Sequence, residues 1–147
     1  MTVEIDLTVL GAKLIERRLK RVITSNKTAL GTALNLVAAD LLQRSADLAP
    51  ILTGDLIRSG RIAKTDSTPK VVVRIVGYGT NHAQFAHNQI QPAGDFGLGP
   101  ISRKKPPSPD GPIGGNFLLR PYLLHKQRYI NLIASSMEDA YVRILDF

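Results

Sequence analysis

Three histidines, His82, His87 and His125, are the side chains best suited to proton transfer or metal ligation in this sequence. His82 and His87 stand five positions apart, which puts them on opposite faces of an ideal strand, and His125 lies in a helical stretch far along the chain. No zinc-type or facial carboxylate spacing accompanies them. Glu138 and Asp139 adjoin on a helix and point to different sides, a poor arrangement for paired acid–base work. Of the glycine-rich stretches, "GYGTNH" lacks the third glycine of a dinucleotide fingerprint, and "GDFGLGP" runs into proline where a helix should open. There is no G-x-S-x-G elbow, and no cysteine for a disulfide framework or a thiolate site. These residue types predict binding without catalysis, metal or cofactor. A hydrolase or nuclease centred on His82 or His87 is the remainder.

Charge points to a class of partner. The formal net charge is +7, which permits contact with nucleic acid or another polyanion. Lys13, Arg17, Lys20 and Arg21 gather on one side of a helix expected from Thr8 to Val22, opposite Ala12, Ile15, Leu19 and Val22. Those four cations could face DNA, or they could form the solvated side of an amphipathic helix. No aromatic residue is interleaved for base stacking. A second basic group, Arg103-Lys104-Lys105, sits in a tract of different composition.

The elements that would position these residues follow from periodicity. "TSN" at 24–26 predicts a break and a new N-cap. A second helix to Leu48 carries the stripe Leu30, Leu34, Val37, Leu41 and Leu48. Its other side, Thr32, Asn35, Ala39, Gln43 and Ala46, is uncharged, which predicts cover by a neighbouring subunit. Pro50 ends the helix and Gly54 supplies a turn. Residues 56–62 alternate as a strand, "DSTPK" turns, and "VVVRIVGYG" returns as its antiparallel partner. "HAQFAH" predicts a third, shorter strand. Residues 88–115 hold six prolines and six glycines, too many for a helix or a continuous strand. Such a tract is either a flexible excursion or an arm that orders against a partner. A last helix from Tyr122 to about Leu145, with Pro121 in its first turn, carries Leu123, Ile130, Ile133, Met137, Tyr141 and Ile144 as a core stripe. The sum is an α+β chain: a small antiparallel sheet, long N-terminal helices, a C-terminal helix and a long Pro/Gly-rich loop. "MTVEIDLTVLG" lacks the pattern of a signal peptide and no stretch has the length of a membrane span, so a soluble cytoplasmic protein is expected.

One order of short motifs stands out. A helix ending in Ala49-Pro50 leads into T-G-x-L-x-x-S at Thr53, Gly54, Leu56 and Ser59, then the strand "VVVRIVG", then "YGTNHAQFAHN". The series closes on F-L-x-x-P at Phe117, Leu118 and Pro121, just before the last helix. This order resembles the small head–tail joining proteins of tailed bacteriophages, the HK-type tail-component family of neck, tail-completion or minor capsid proteins. The resemblance covers roughly residues 25 to 145. It departs from the family where the Pro/Gly-rich tract replaces a short glycine-threonine turn. It implies an α+β domain in a virion neck ring, assembled in the host cytoplasm. The implied partners are copies of itself, a portal-side connector and a tail-terminator or tail-tube protein, with DNA passing non-specifically. Thr32, Asn35, Ala39, Gln43, Arg58, Arg103, Lys104 and Lys105 would make the subunit or neighbour-ring contacts. Pro50, Thr53, Gly54, Leu56, Phe117 and Pro121 would form the structural turn. The alternative is a small basic nucleic-acid-binding protein.

Overall fold

A computed structural model describes residues 3–68, 71–89 and 98–145. The chain is α+β, in the order α1 (Val3–Leu48), α2 (Asp55–Arg58), β1 (Gly60–Thr68), β2 (Val71–Tyr78), α3 (Ala83–Gln89), α4 (Pro100–Arg103) and α5 (Leu119–Leu145). Among the described residues, no helix is long and apolar enough to cross a membrane.

The break expected at "TSN" does not occur, and α1 is one helix of 46 residues. Its threonines turn their hydroxyls inward along the helix instead of capping a new one. Thr24 Oγ1 donates to Lys20 O at 2.9 Å, Thr28 to Thr24 O at 3.0 Å and Thr32 to Thr28 O at 3.0 Å. A threonine that bonds the carbonyl four residues back leaves the backbone ladder intact. No proline lies in this stretch to remove an amide.

β1 and β2 form the expected antiparallel hairpin, with Gly60 opposite Tyr78 and Thr65 opposite Val73. The register slips by one residue between Thr65 and Thr68. Two expected strands are corrected. Leu56 and Arg58 lie in the helical turn α2, because Gly54 at φ 85° turns the chain and Ser59 then donates back to Asp55 O at 2.9 Å. "HAQFAH" forms α3, where Ala86 donates to His82 O at 2.9 Å.

The hairpin packs on one side of α1 and α5 on another. Gly31 lies under β2, where an added Cβ would meet Arg74 Nη2 at 3.4 Å, an ordinary contact. Gly60 is tighter still, with Leu42 Cδ1 at 3.0 Å and Tyr78 Cε1 at 3.1 Å from the position of an added Cβ. α5 runs antiparallel to α1, with Tyr129 Oη donating to Asp40 Oδ2 at 2.8 Å and Met137, Glu138, Tyr141 and Val142 lining one groove with Asn26.

The core is small. The buried hydrophobic side chains are Ala33, Ala38, Leu48, Ala49, Ala86, Phe117, Tyr129 and Ala140, so alanine supplies most of them. Of the apolar stripe foreseen on the second half of α1, only Leu48 is fully buried; Leu30, Leu34, Val37 and Leu41 are half-buried. The α5 stripe is corrected more sharply. Ile133 and Met137 are half-buried, but Leu123, Ile130 and Tyr141 are 59%, 48% and 53% exposed, because α1 covers the neighbouring face of α5 through Tyr129 and Ala140. The Ile144 side chain lies outside the described residues.

Candidate assembly surface

The turn motif and the closing motif meet in one place. Leu48, Ala49, Ala86 and Phe117 form a buried cluster, with Leu56, Ile57, Tyr78 and Leu118 packed against it. Phe117 is held edge-on by the Tyr78 ring at 5.3 Å and the His87 ring at 5.1 Å. Aromatic rings prefer this arrangement because a positive edge meets a negative face. Pro50 and Pro121 are buried beside the cluster. Thr53 Oγ1 bonds Asp55 Oδ2 at 2.6 Å, and Arg58 Nη2 reaches both Asp55 Oδ1 at 2.6 Å and Thr53 O at 3.2 Å. Hydrogen bonds from Thr53 and then Arg58 hold the Asp55 carboxyl below its ordinary range. Arg58 is exposed, as expected, and it also braces its own turn.

The part of the Pro/Gly-rich tract that is described, from Leu98 onward, is built into the fold. Residues 90–97 lie outside the described residues. Pro100 opens α4, and Ser102 is buried with its hydroxyl against the Ile51 backbone. Ser102 Oγ accepts from Ile51 N at 2.6 Å and donates to Ile51 O at 2.9 Å. Lys105 Nζ donates to Ala46 O at 2.7 Å and Ala49 O at 3.0 Å, and Gly114 N donates to Leu48 O at 3.0 Å. These are the carbonyls a helix leaves without partners at its C-terminus. Burial lowers the Lys105 ammonium from its ordinary value. Of the basic triplet expected to meet a neighbour, Lys105 therefore turns inward, while Arg103 and Lys104 are exposed.

A charged network joins the tract to both long helices. Asp110, 5% exposed, accepts from Arg44 Nη1 at 3.1 Å and pairs with His125 Nε2 at 2.8 Å. Arg44 Nε also donates to Asp40 Oδ2 at 2.8 Å. Burial alone would raise both carboxyls. Hydrogen bonds from His125 and Arg44 hold Asp110 below its ordinary value, and bonds from Arg44 and Tyr129 do the same for Asp40. Burial and the Asp40 carboxylate push the Tyr129 phenol up to about 12. Sequence spacing carries no sign of this group, whose members span 89 positions between Asp40 and Tyr129.

The remaining residues singled out from the sequence are spread over separate surfaces. Asn35 Oδ1 accepts from Arg74 Nε at 2.6 Å, so β2 partly covers that side of α1. Thr32, Ala39 and Gln43 are exposed. Lys13, Arg17, Lys20 and Arg21 are exposed too, with Lys20 paired to Glu16 at 2.6 Å. His82 lines a cavity of about 350 Å³ with Leu52, Leu56, Thr80 and Phe85. It does not join His87, which meets Phe117 edge-on, or His125, which pairs with Asp110. Among the described residues, no group of three His, Asp or Glu side chains could hold a metal ion. No family model, no curated protein and no solved structure matches this chain.

The chain exposes 10551 Å² of surface. A folded monomer of 16.0 kDa exposes about 7,400 Å². Large apolar side chains of α1 and α5 are among the exposed ones, Leu14, Ile15, Leu19, Leu123, Ile130 and Tyr141 included.

Proposed function

We propose that this chain is a non-enzymatic structural subunit of a tailed phage, part of the neck ring that completes the tail end and joins it to the head. The observation that carries this reading is the surface excess of roughly 3,000 Å², the amount that subunits bury in obligate contacts. The convergence of A-P-x-x-T-G-x-L and F-L-x-x-P on the Phe117 cluster supports it, because those scattered motifs act as one structural unit. Copies of the chain would form a cyclic ring between a portal-side connector and a tail-terminator or tail-tube protein.

The test is electron microscopy of lysates from the phage carrying a nonsense mutation in this gene. Filled heads and complete tails lying unattached are the expected result. Intact, infectious particles would overturn the reading.

A second reading has its own observation. The exposed cations of the α1 N-terminal half suit a polyanion, so the chain could bind duplex DNA non-specifically, alone or within a ring around the DNA passage. Duplex binding that weakens steeply with salt would support it, and no shift at low salt would remove it.

A further inference from the structure

The N-terminal part of α1 extends past the elements that cover the rest of it. Residues 12–21 are all exposed, and from Val3 to Arg21 the helix runs about 28 Å. At 3.6 residues per turn, Ile15, Leu19, Val22 and Asn26 lie on the same face as Ala33 and Asp40. That is the face α5 covers lower down, where Ala33 is 1% exposed and Asp40 accepts from Tyr129. The helix thus carries its α5-packing stripe beyond α5, where Ile15 and Leu19 stand 60% and 57% exposed.

At the same end, α1 and α5 leave an open apolar groove of about 500 Å³, lined by Asn26, Met137, Glu138, Tyr141 and Val142. Tyr141 and Val142 are 53% and 54% exposed. Asn26 Oδ1 is buried there and has no hydrogen-bond partner among the described residues. Charge is mixed on both elements: the arm carries Glu4, Asp6 and Glu16 with Lys13, Arg17, Arg18, Lys20 and Arg21, and Glu138, Asp139 and Arg143 stand exposed toward the end of α5.

We propose that the α1 arm of one copy seats in the α1/α5 groove of a second copy. Its stripe Ile15, Leu19 and Val22 packs on Met137, Tyr141 and Val142, while Lys13, Arg17, Lys20 and Arg21 face away from the groove. The stripe continues the face that packs on α5 lower down, so its match is an α5 surface and not a second arm. The arm-in-groove contact is heterologous: each copy gives an arm and receives one, which generates rings where the rotation closes. The area agrees with the occupant, since obligate subunit contacts bury roughly 2,000–5,000 Å², a span that contains the surface excess. This deepens the neck-ring reading by naming the self-contact, and it is judged by a separate measurement.

The experiment is sedimentation of the full-length chain at micromolar concentration, with Leu19→Asp as the arm variant and Tyr141→Asp as the groove variant. Both positions are exposed, so circular dichroism should show unchanged helix content. The wild-type chain is expected to sediment as an oligomer and each variant alone as a monomer. An equimolar mixture is expected to form a one-to-one complex, because the Tyr141→Asp copy keeps its arm and the Leu19→Asp copy keeps its groove. A monomeric wild-type chain would overturn the proposal, as would variants that stay assembled or a mixture that fails to pair. Capture of a monomeric wild-type chain by phosphatidylserine vesicles or by duplex DNA would assign the arm to a membrane surface or to nucleic acid instead. A monomeric chain whose loss still leaves heads and tails unjoined would overturn the arm contact alone.

Discussion

Ser102 accepts a hydrogen bond from the Ile51 amide at 2.6 Å and returns its own hydrogen to the Ile51 carbonyl at 2.9 Å. A serine from the middle of the Pro/Gly-rich tract thus does for the residue after Pro50 what a strand partner would do. Ser102 is fully buried, so no solvent replaces either bond. Ser102→Ala is expected to lower unfolding free energy by roughly 2 kcal/mol in urea titration, because two backbone groups lose their partner at once. An unchanged midpoint would mean that the Ser102 bonds contribute nothing to the fold.

Lys105 and Lys104 make a matched pair for a second test. Lys105 Nζ bonds two carbonyls at the C-terminus of α1, and Lys104 is exposed one residue earlier. Lys105→Met keeps the apolar stem but removes three N–H donors, leaving Ala46 O and Ala49 O without the ammonium. The expected loss is about 1–2 kcal/mol, read by thermal or chemical denaturation. Lys104→Met should leave the midpoint unmoved. Equal effects at the two positions would contradict the inward placement of Lys105.

The same contrast marks the limit of what is legible in the sequence. Pro50, Gly54 and the hairpin are legible because each depends on local chemistry: a missing amide, a positive φ, a β-branched run. "TSN" misleads because threonine and serine stabilise either a new N-cap or a continuing helix, and the choice depends on which carbonyl the hydroxyl finds. "HAQFAH" misleads because a helix of seven residues carries too little periodicity to separate it from a strand. The network of Asp40, Arg44, Asp110 and His125 is invisible in the sequence, since its members meet only after the tract folds back on the two helices. The α5 stripe is legible as apolar but not as core. Periodicity reports that a face is hydrophobic and not what covers it.

Asp110 supplies the acid-pH prediction. Its folded-state pKa lies below the ordinary value, as does that of Asp40. A carboxyl depressed by folding binds fewer protons in the native state than in the unfolded chain. Its contribution is therefore present above the unfolded value of about 4 and is lost as pH falls through the folded one. Unfolding free energy should drop as pH is taken below about 4, and Asp110→Asn should flatten that drop. At pH 7 the same variant should be less stable by roughly 3 kcal/mol, because Arg44 and His125 lose a buried partner. A variant that keeps both the wild-type midpoint and the wild-type acid slope would show that the network is not coupled to folding.

Gly60 tests the packing of hairpin against helix. An added methyl would stand 3.0 Å from Leu42 Cδ1 and 3.2 Å from the Ile57 carbonyl oxygen. The leucine can rotate away, but the backbone oxygen cannot without shifting α2. Gly60→Ala is expected to cost about 1–3 kcal/mol, the range for overpacking a close approach. Gly77→Ala, on the partner strand with nothing within 4 Å of the new Cβ, should cost far less. Comparable losses at the two glycines would argue against the close approach of β1 to α1.

The basic arm separates the two functional readings. Lys13, Arg17, Lys20 and Arg21 are exposed and lie across the helix from Ile15 and Leu19, so replacing all four by glutamine removes charge without touching the apolar stripe. The melting temperature should hold, since glutamine suits a helix nearly as well as lysine or arginine. If the arm meets DNA through its phosphates, the slope of log affinity against log salt should shrink by about 0.9 for each phosphate that no longer meets a cation. The same variant tests whether those cations enter the self-contact. Self-association should be unchanged, because they face away from the groove that receives the stripe. If self-association weakens while DNA affinity does not change, the cations belong to the subunit interface. If DNA affinity collapses while the assembly is untouched, they belong to the nucleic acid, and the groove must hold its arm through the apolar stripe alone.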